Sequence, residues 1–159
     1  IWLKRKSIWN IVIGGLAGSF ATLAGSAAVN PIIAPEAVIL SVILFLWTPP
    51  HFWSLAMAIG DDYEKARIPM LPNTLSNSLT TYIILFHTII LVFVTALLML
   101  YSSSLFYIFA IFIGGGYFIW TSIILAIKKT KSAAMKNFFG SFVQLGLLLI
   151  LIIIDGAVV

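Results

Sequence analysis

Long apolar stretches separated by short polar segments dominate the chain. A helix needs roughly 20 apolar residues to cross about 30 Å of hydrocarbon. Five stretches are long enough: residues 10–29, 35–58, 80–100, 104–127 and 137–154. The run LLLILIII at residues 147–154 shows no alternation with a period of two, which argues against the strands of a membrane barrel. The pattern therefore predicts an all-α fold, a polytopic transmembrane helical bundle with five spans.

The composition supports a membrane protein. Apolar residues make up 62% of the 159 residues and charged residues 9%, whereas a soluble domain averages about 45–50% apolar and about 25% charged. Disorder is excluded by the same numbers, and a disulfide scaffold by the absence of cysteine. The net charge is +4, but a nucleic-acid-binding protein gathers its cations on a soluble face, so we expect no nucleic acid. The expected partner is the lipid bilayer, around a single membrane domain at residues 1–159.

The cations predict how the spans are oriented. All nine lie before the first span, between the second and third, or between the fourth and fifth: Lys4, Arg5, Lys6, Lys65, Arg67, Lys128, Lys129, Lys131 and Lys136. Five spans place these three segments on one side, and the positive-inside rule makes that side cytoplasmic. The chain begins at Ile1 rather than Met, inside a basic run. We therefore expect it to be the C-terminal part of a longer protein.

The long loop between the second and third spans carries the candidate chemistry. It reads IGDDYEKARIPMLPN at residues 59–73 and places Asp61, Asp62 and Glu64 at a membrane–water boundary. Adjacent carboxylates suit Mg²⁺, which takes one or two carboxylates and leaves its other positions to water and substrate phosphate. The acids therefore predict a Mg²⁺ site.

Cations close to these acids favour a phosphate ligand. Lys65 and Arg67 follow in the same loop, and Lys4 and Arg5 reach the same side of the membrane. Such groups hold phosphate oxygens through charge-assisted hydrogen bonds. Together with the acids and the apolar bundle, these cations predict a site for a diphosphate whose apolar chain extends into the membrane. The alternative, an ordinary cytoplasmic loop of mixed charge, stays open at this point.

The second span contains an unusual block, TPPHFWSLAM, at residues 48–57. Pro49 and Pro50 remove two backbone donors and predict a kink, and His51 and Trp53 follow directly. An ionisable side chain at membrane depth is a functional-site hypothesis by default. The alternative is a neutral histidine bonded to a freed carbonyl, with Trp53 as an interface anchor.

Other polar and small residues have simpler interpretations. Asn10, at the start of the first span, is expected to lie near the site. Interhelical hydrogen bonds are expected for His87, Thr88 and Gln144. A small stripe that lets a neighbouring helix approach closely is expected at Gly14, Gly18, Ala21 and Gly25.

Three segments together resemble the UbiA superfamily of intramembrane prenyltransferases, in its haem-modifying branch. They are LKRKSIWNIVIGGLAG (residues 3–18), TPPHFWSLAM (residues 48–57) and DDYEKARIPMLP (residues 61–72). Members of the superfamily have nine spans, and the five spans here resemble the fifth to the ninth. The resemblance implies that the superfamily's first acidic motif lies outside this chain and that the chain alone is inactive.

The resemblance implies an activity and roles for individual residues. The activity is transfer of a farnesyl group from farnesyl diphosphate to a vinyl group of protohaem IX, giving haem O, in a prokaryotic cell membrane. Asp61 and Asp62 match the superfamily's second acidic motif, which implies catalytic carboxylates that bind Mg²⁺. Substrate-binding positions are implied at Lys4, Arg5, Asn10, His51, Trp53, Tyr63 and Lys65. One departure is Arg67, which stands where a glycine is common.

Two other readings stay open. One is a UbiA-type enzyme that acts on another aromatic or lipid acceptor, although the TPPHFW and IPMLP segments argue against it. The other is a transporter fragment without chemistry. Transporters place ionisable residues along a path near the midplane, whereas the acids here lie at one mouth of the bundle.

Overall fold

The structure is a computed structural model that describes residues 5–101 and 104–158, and these residues form helices and no strand. The helices are α1 (Asn10–Val29), α2 (Pro35–Ala58), α3 (Gly60–Lys65), α4 (Leu71–Thr74), α5 (Asn77–Ala96), α6 (Leu105–Phe109), α7 (Gly116–Lys128) and α8 (Lys131–Val158). A 3₁₀ turn, Leu97–Leu100, extends α5, and a π-helical segment, Ala110–Gly115, joins α6 to α7.

Five helical units are long and apolar enough to cross a membrane, which confirms the predicted number of spans and the all-α fold. They are Asn10–Val29, Pro35–Ala58, Asn77–Leu100, Leu105–Lys128 and Lys131–Gly156. The first two agree with the predicted bounds. The fifth begins six residues before the predicted position, because α8 starts directly after a tight turn and carries Lys131 and Lys136 in its first turns.

Helix α2 is the centre of the bundle. It packs against α1, α5 and α8, and α7 closes the bundle by packing against α5 and α8. The helix continues through Pro49 and Pro50, both of which are buried. On α2, Thr48 faces α1, where an added Cβ at Gly15 would lie 3.1 Å from the Thr48 Cβ.

The expected small stripe of α1 does not pack in this way. A Cβ added at Gly14, Gly18 or Gly25 would meet no other atom within 4 Å among the described residues. The close approach falls on Gly15 instead, so the prediction of a packed stripe at residues 14, 18, 21 and 25 is wrong. Helix α1 contacts α2 along one face, and its other faces are largely exposed.

A buried network of polar side chains joins α2, α5, α7 and α8. Its central residue is Asn137 of α8. The Asn137 Nδ2 donates to the Ser54 Oγ of α2 at 2.8 Å. Its Oδ1 accepts from the hydroxyls of Thr121 and Ser122 of α7, at 2.8 and 2.9 Å. The Ser122 Oγ also lies 3.0 Å from the Thr88 Oγ1 of α5. Interhelical hydrogen bonds of this kind contribute to the packing of membrane helices.

The expected interhelical hydrogen bonds are confirmed for one residue of three. Thr88 belongs to the network. His87 bonds within its own helix, with its Nδ1 2.9 Å from the Ile83 carbonyl oxygen, so that prediction is wrong. Gln144 is buried, and its Oε1 has no hydrogen-bond partner among the described residues.

The π-helical segment coincides with close contacts on two sides. A Cβ added at Gly114 would lie 3.1 Å from the Gln144 Cα of α8, and one at Gly115 would lie 2.9 Å from the Val92 Cγ1 of α5. A π-helix holds more residues per turn than an α-helix and is rare outside single turns. Glycine at both positions therefore lets α5 and α8 approach this segment closely.

Candidate functional site

The loop 59–76 lies at the same end of the bundle as the start of α1 and the turn between α7 and α8. The Asn10 Nδ2 donates to the Pro69 carbonyl oxygen at 2.8 Å. The Lys131 Nζ donates to the Asp61 Oδ2 at 2.7 Å. Three segments that carry the described cations thus meet around α3 and α4. Asn10 contacts this loop through Pro69, and its role in the predicted site stays a prediction.

One cleft at this end, here called the acidic cleft, has a volume of about 230 Å³. Its polar lining consists of Asp61, Glu64, Asn73, Asn77, Lys129, Thr130 and Lys131. The Lys131 ammonium, through its hydrogen bond and its charge, lowers the pKa of the Asp61 carboxyl below its ordinary value of 3.8. Asp61 is therefore ionised at neutral pH, with one carboxylate oxygen bonded to the Lys131 ammonium.

Lys131 was missed as a site residue by the sequence analysis, which used it only to orient the spans. It lies 70 positions from Asp61 in the sequence, and spacing gives no sign of such a distant partner. The available signal was its placement on the same membrane side as the acidic loop. Lys129, in the same turn, donates to the Ser78 hydroxyl at 2.9 Å and also lines the acidic cleft.

Asp62 does not face the acidic cleft with Asp61. Its Oδ1 lies 3.8 Å from the Lys65 Nζ, and both side chains are more than two-thirds exposed. Lys65 is therefore next to Asp62, and neither residue lines the acidic cleft. The shared metal role of Asp61 and Asp62 stays a prediction.

The acidic cleft fits Mg²⁺ by the chemistry of its donors. Asp61, Glu64 and Asn73 present carboxylate and amide oxygens to one space, and Mg²⁺ prefers one or two carboxylates completed by water and phosphate. No group of three or more acidic, histidine or cysteine side chains arranged for a metal occurs within the part of the chain that the structure describes. Further ligands would have to come from water, substrate or other protein residues.

A second cleft, here called the cationic cleft, lies on the other side of Glu64 and Asn73, which line both. It has a volume of about 420 Å³, and its remaining polar lining comprises Arg5, Lys6, Tyr63, Arg67 and Thr74. Burial raises the pKa of the Tyr63 hydroxyl, which therefore stays a hydrogen-bond donor at neutral pH. Arg5 is thus near the loop but in a different cleft from Asp61. Lys4 lies outside the described residues.

Arg67 adopts a backbone conformation that ordinary side chains avoid. Its φ is 52°, in the left-handed region, which costs a non-glycine residue roughly 1–2 kcal/mol. This conformation closes the C-terminus of α3, where the Arg67 N–H donates to the Glu64 carbonyl oxygen and the Ile68 N–H to that of Tyr63. Glycine would adopt it without penalty. In this chain the strain is tolerated at a position that adds a guanidinium to the cationic cleft.

His51 and Trp53 lie in the bundle interior rather than in either cleft. The His51 Nδ1 is 2.7 Å from the Ser141 Oγ of α8, and its ring stacks on Trp47 with centroids 4.0 Å apart. Trp53 is buried, and its Nε1 has no hydrogen-bond partner among the described residues. At a rise of about 1.5 Å per residue, His51 lies roughly 10 Å along α2 from the end of that helix at Ala58. Contact of His51 and Trp53 with substrate stays a prediction.

A third, apolar groove runs between α1 and α2. It has a volume of about 300 Å³ and is lined by Asn10, Ile11, Gly14, Gly15, Thr48 and Phe52, together with Gly18. Asn10 lines this groove and bonds to Pro69, which lines the cationic cleft. The apolar groove and the cationic cleft are therefore adjacent, separated by the Asn10 side chain.

The fold and the site together define a polytopic helical membrane protein with two charged clefts at one mouth of its bundle. A model of the UbiA prenyltransferase family matches residues 1–144. The chain belongs to this family, and with its five apolar helices it is an integral membrane protein. No solved structure matches the chain.

Similar proteins carry a common name. The chain is 50% identical over 98% of its length to Protoheme IX farnesyltransferase 2 of Paramagnetospirillum magneticum, and covers 54% of that protein. It is 41% identical over 99% of its length to Protoheme IX farnesyltransferase of Neorickettsia sennetsu, covering 52%. The protein of the same name from Roseiflexus castenholzii is 41% identical over 99% of the chain, which covers 30% of it. The chain thus spans about half or less of the length of these relatives.

Proposed function

We propose that this chain forms part of an intramembrane prenyltransferase that transfers a farnesyl group from farnesyl diphosphate to a vinyl group of protohaem IX, giving haem O. The observation that carries the proposal is the Asp61 carboxylate, held by Lys131 in a cleft at the mouth of an apolar bundle. The names of the relatives support the choice of donor and acceptor.

The acidic cleft is the proposed site of the diphosphate. Asp61, with Glu64 and Asn73 beside it, would hold Mg²⁺, which when bound neutralises the charge that grows on the departing diphosphate. Lys129 and Lys131 would bind phosphate oxygens by charge-assisted hydrogen bonds. After a side-chain rotation, Asp62 would add a carboxylate to the Mg²⁺ site and Lys65 would add a cation to the phosphate oxygens. Lys4 and Arg5, predicted to contact the diphosphate, would do so from the start of α1.

The apolar interior provides the second requirement of the chemistry. An allylic cation must be shielded from water until the vinyl π-bond attacks, and a closed membrane-embedded site excludes water. His51 and Trp53 would shape this interior through the packing of α2 against its neighbours.

The cationic end of the bundle is proposed to face the cytoplasm of a prokaryotic cell. Eight described cations occur at this end of the spans, and the positive-inside rule places such segments in the cytoplasm. The proposed partner is the remaining part of the same enzyme, with the superfamily's first acidic motif supplying the metal ligands that this chain lacks.

The direct test uses the complete protein in nanodiscs with farnesyl diphosphate, protohaem IX and Mg²⁺. The expected result is a farnesylated haem detected by mass spectrometry, lost on chelation of Mg²⁺ and in Asp61→Asn. Formation of product with a quinone-ring acid or a lipid acceptor instead would assign the chain to another branch of the family. Absence of any prenylated product, with the donor unbound, would refute the enzymatic proposal.

A further inference from the structure

We propose that a groove between α7 and α8, at the cationic end of the bundle, binds an anionic phospholipid whose phosphate is held by Lys128 and Lys136. The groove, here called the lysine groove, has a volume of about 310 Å³ and is lined by Tyr117, Trp120, Thr121, Ile124, Lys128 and Lys136. The inference goes beyond the proposed reaction, because it requires only that these helices span a membrane.

The lysine groove is separate from the proposed site of the diphosphate. It shares no lining residue with the acidic cleft or the cationic cleft. The lysines between its own two lysines in the sequence bind elsewhere: Lys129 donates to the Ser78 hydroxyl, and Lys131 donates to the Asp61 carboxylate. The lining of the lysine groove contains no carboxylate for Mg²⁺, so an anion there would contact the ammonium groups directly.

The charge of the groove favours an anionic ligand. No hydrogen bond or ion pair in the described part of the chain involves the ammonium group of Lys128 or Lys136, and both residues are exposed. Two like charges beside one groove repel each other, and a phosphate between them would accept a charge-assisted hydrogen bond from each. Basic pockets between transmembrane helices are typical sites for the head groups of anionic lipids.

The length of the groove favours a lipid over a free phosphate. At about 1.5 Å per residue, its lining extends roughly 16 Å along α7 from Tyr117 to Lys128. This length is close to half of a hydrocarbon core about 30 Å thick, which is the depth of one leaflet. Tyr117 and Trp120 are exposed and present their rings beside the groove. An acyl chain would pack along these rings, whereas a free phosphate would occupy only the lysine end.

Buried contacts hold the two walls of the groove together. The Thr121 hydroxyl of α7 donates to the Asn137 Oδ1 of α8 at 2.8 Å, and Asn137 directly follows Lys136. The two helices that carry the lysines are therefore joined beneath the groove. A lipid bound there would contact both helices and stabilise the folded bundle in proportion to its occupancy.

The experiment measures lipid binding to the complete protein in neutral detergent by native mass spectrometry, with phosphatidylglycerol and phosphatidylcholine of identical acyl chains. Wild type is expected to bind phosphatidylglycerol about 25-fold more tightly, at about fivefold for each lysine. Lys128→Gln and Lys136→Gln should each reduce this preference about fivefold, and the double variant should abolish it. Trp120→Ala should weaken the binding of both lipids equally and keep the preference.

Two matched controls accompany these variants. Lys65→Gln removes a cation that lines neither the lysine groove nor either cleft, and it should keep the preference. Phe112→Ala removes an exposed ring of the same span from outside the groove, and it should leave the affinity for both lipids unchanged. A phosphatidylglycerol with a photoreactive acyl chain should label α7 between Tyr117 and Ile124.

Several results would overturn the inference. Equal affinity of wild type for the two lipids would remove its basis, as would a preference that survives in the double variant. A loss in Lys65→Gln as large as that in Lys128→Gln would assign the preference to the general charge of this end of the bundle. Displacement of the lipid by inorganic phosphate would make the lysines a site for a free anion. Labelling confined to other helices would show that another part of the protein covers the groove.

Discussion

Replacing Asn137 by alanine should destabilise the bundle by about 2 kcal/mol. The change removes three interhelical hydrogen bonds, to Ser54, Thr121 and Ser122, and such bonds in membranes average about 0.6 kcal/mol each. The loss should stay near this sum because each hydroxyl keeps another partner. Ser54 still bonds to the Pro50 carbonyl oxygen, Thr121 to that of Phe118, and Ser122 lies next to the Thr88 hydroxyl.

The assay is reversible unfolding of the complete protein in mixed micelles with increasing sodium dodecyl sulfate, followed by circular dichroism. A double-mutant cycle with Ser54→Ala isolates one of the three bonds, and the coupling between Asn137 and Ser54 should be about 0.6 kcal/mol. Thr22→Ala is a control, because Thr22 bonds only to the Gly18 carbonyl oxygen of its own helix in the described structure. A loss below about 0.5 kcal/mol in Asn137→Ala, or strict additivity in the cycle, would refute the role of Asn137 as a hub.

Three further predictions concern the site and the packing. Asp61→Asn should reduce Mg²⁺-dependent turnover by orders of magnitude while the amount of folded protein in the membrane stays near wild type, as measured by product formation and quantitative blotting. Lys131→Met should raise the pKa of the Asp61 carboxyl toward 3.8, so that in an NMR titration the carboxyl becomes protonated at a higher pH than in wild type. Gly140→Ala should destabilise the bundle by about 1–3 kcal/mol in the same unfolding assay, because its Cβ would lie 2.6 Å from the Thr121 Oγ1.

Each of these predictions has a control in the chain. Ile152→Ala shortens a side chain that packs against the core and lines neither cleft, so it should leave turnover nearly intact. If Ile152→Ala and Asp61→Asn both reduced turnover through an equal loss of folded protein, the metal role of Asp61 would be unsupported. Lys136→Met removes a charge of the same helix and should leave the Asp61 titration unchanged. Gly146→Ala adds a methyl group with nothing within 4 Å, so a cost equal to that of Gly140→Ala would contradict the overpacking argument.

The spans were predictable because most of the apolar runs end at proline, glycine or charged residues. Proline at position 35 and glycine at position 60 bound α2, and the structure places its ends at Pro35 and Ala58. The start of α8 was not predictable in the same way. Its first turns carry lysines, so the helix extends beyond the apolar stretch, and the end of an apolar run is not the end of a helix.

The candidate site was predictable in location but not in its pairings. Adjacent acids at a membrane boundary pointed to the loop that forms the acidic cleft, whereas the bond between Asp61 and Lys131 depends on how α8 packs against α2. Asn137 illustrates the same limit. In the sequence it marks the edge of an apolar run, and only the tertiary structure turns it into the hub of a buried network.

The π-helical segment Ala110–Gly115 contains more residues than an α-helix of the same length would need. Because this segment winds more residues into each turn than its flanks, removal of one residue there would convert it toward ordinary α-helix. The helix on either side would keep its rotational setting against α5 and α8, whereas a deletion elsewhere in the span would rotate every following side chain by about 100°. Insertions and deletions among homologous proteins should therefore concentrate at this segment.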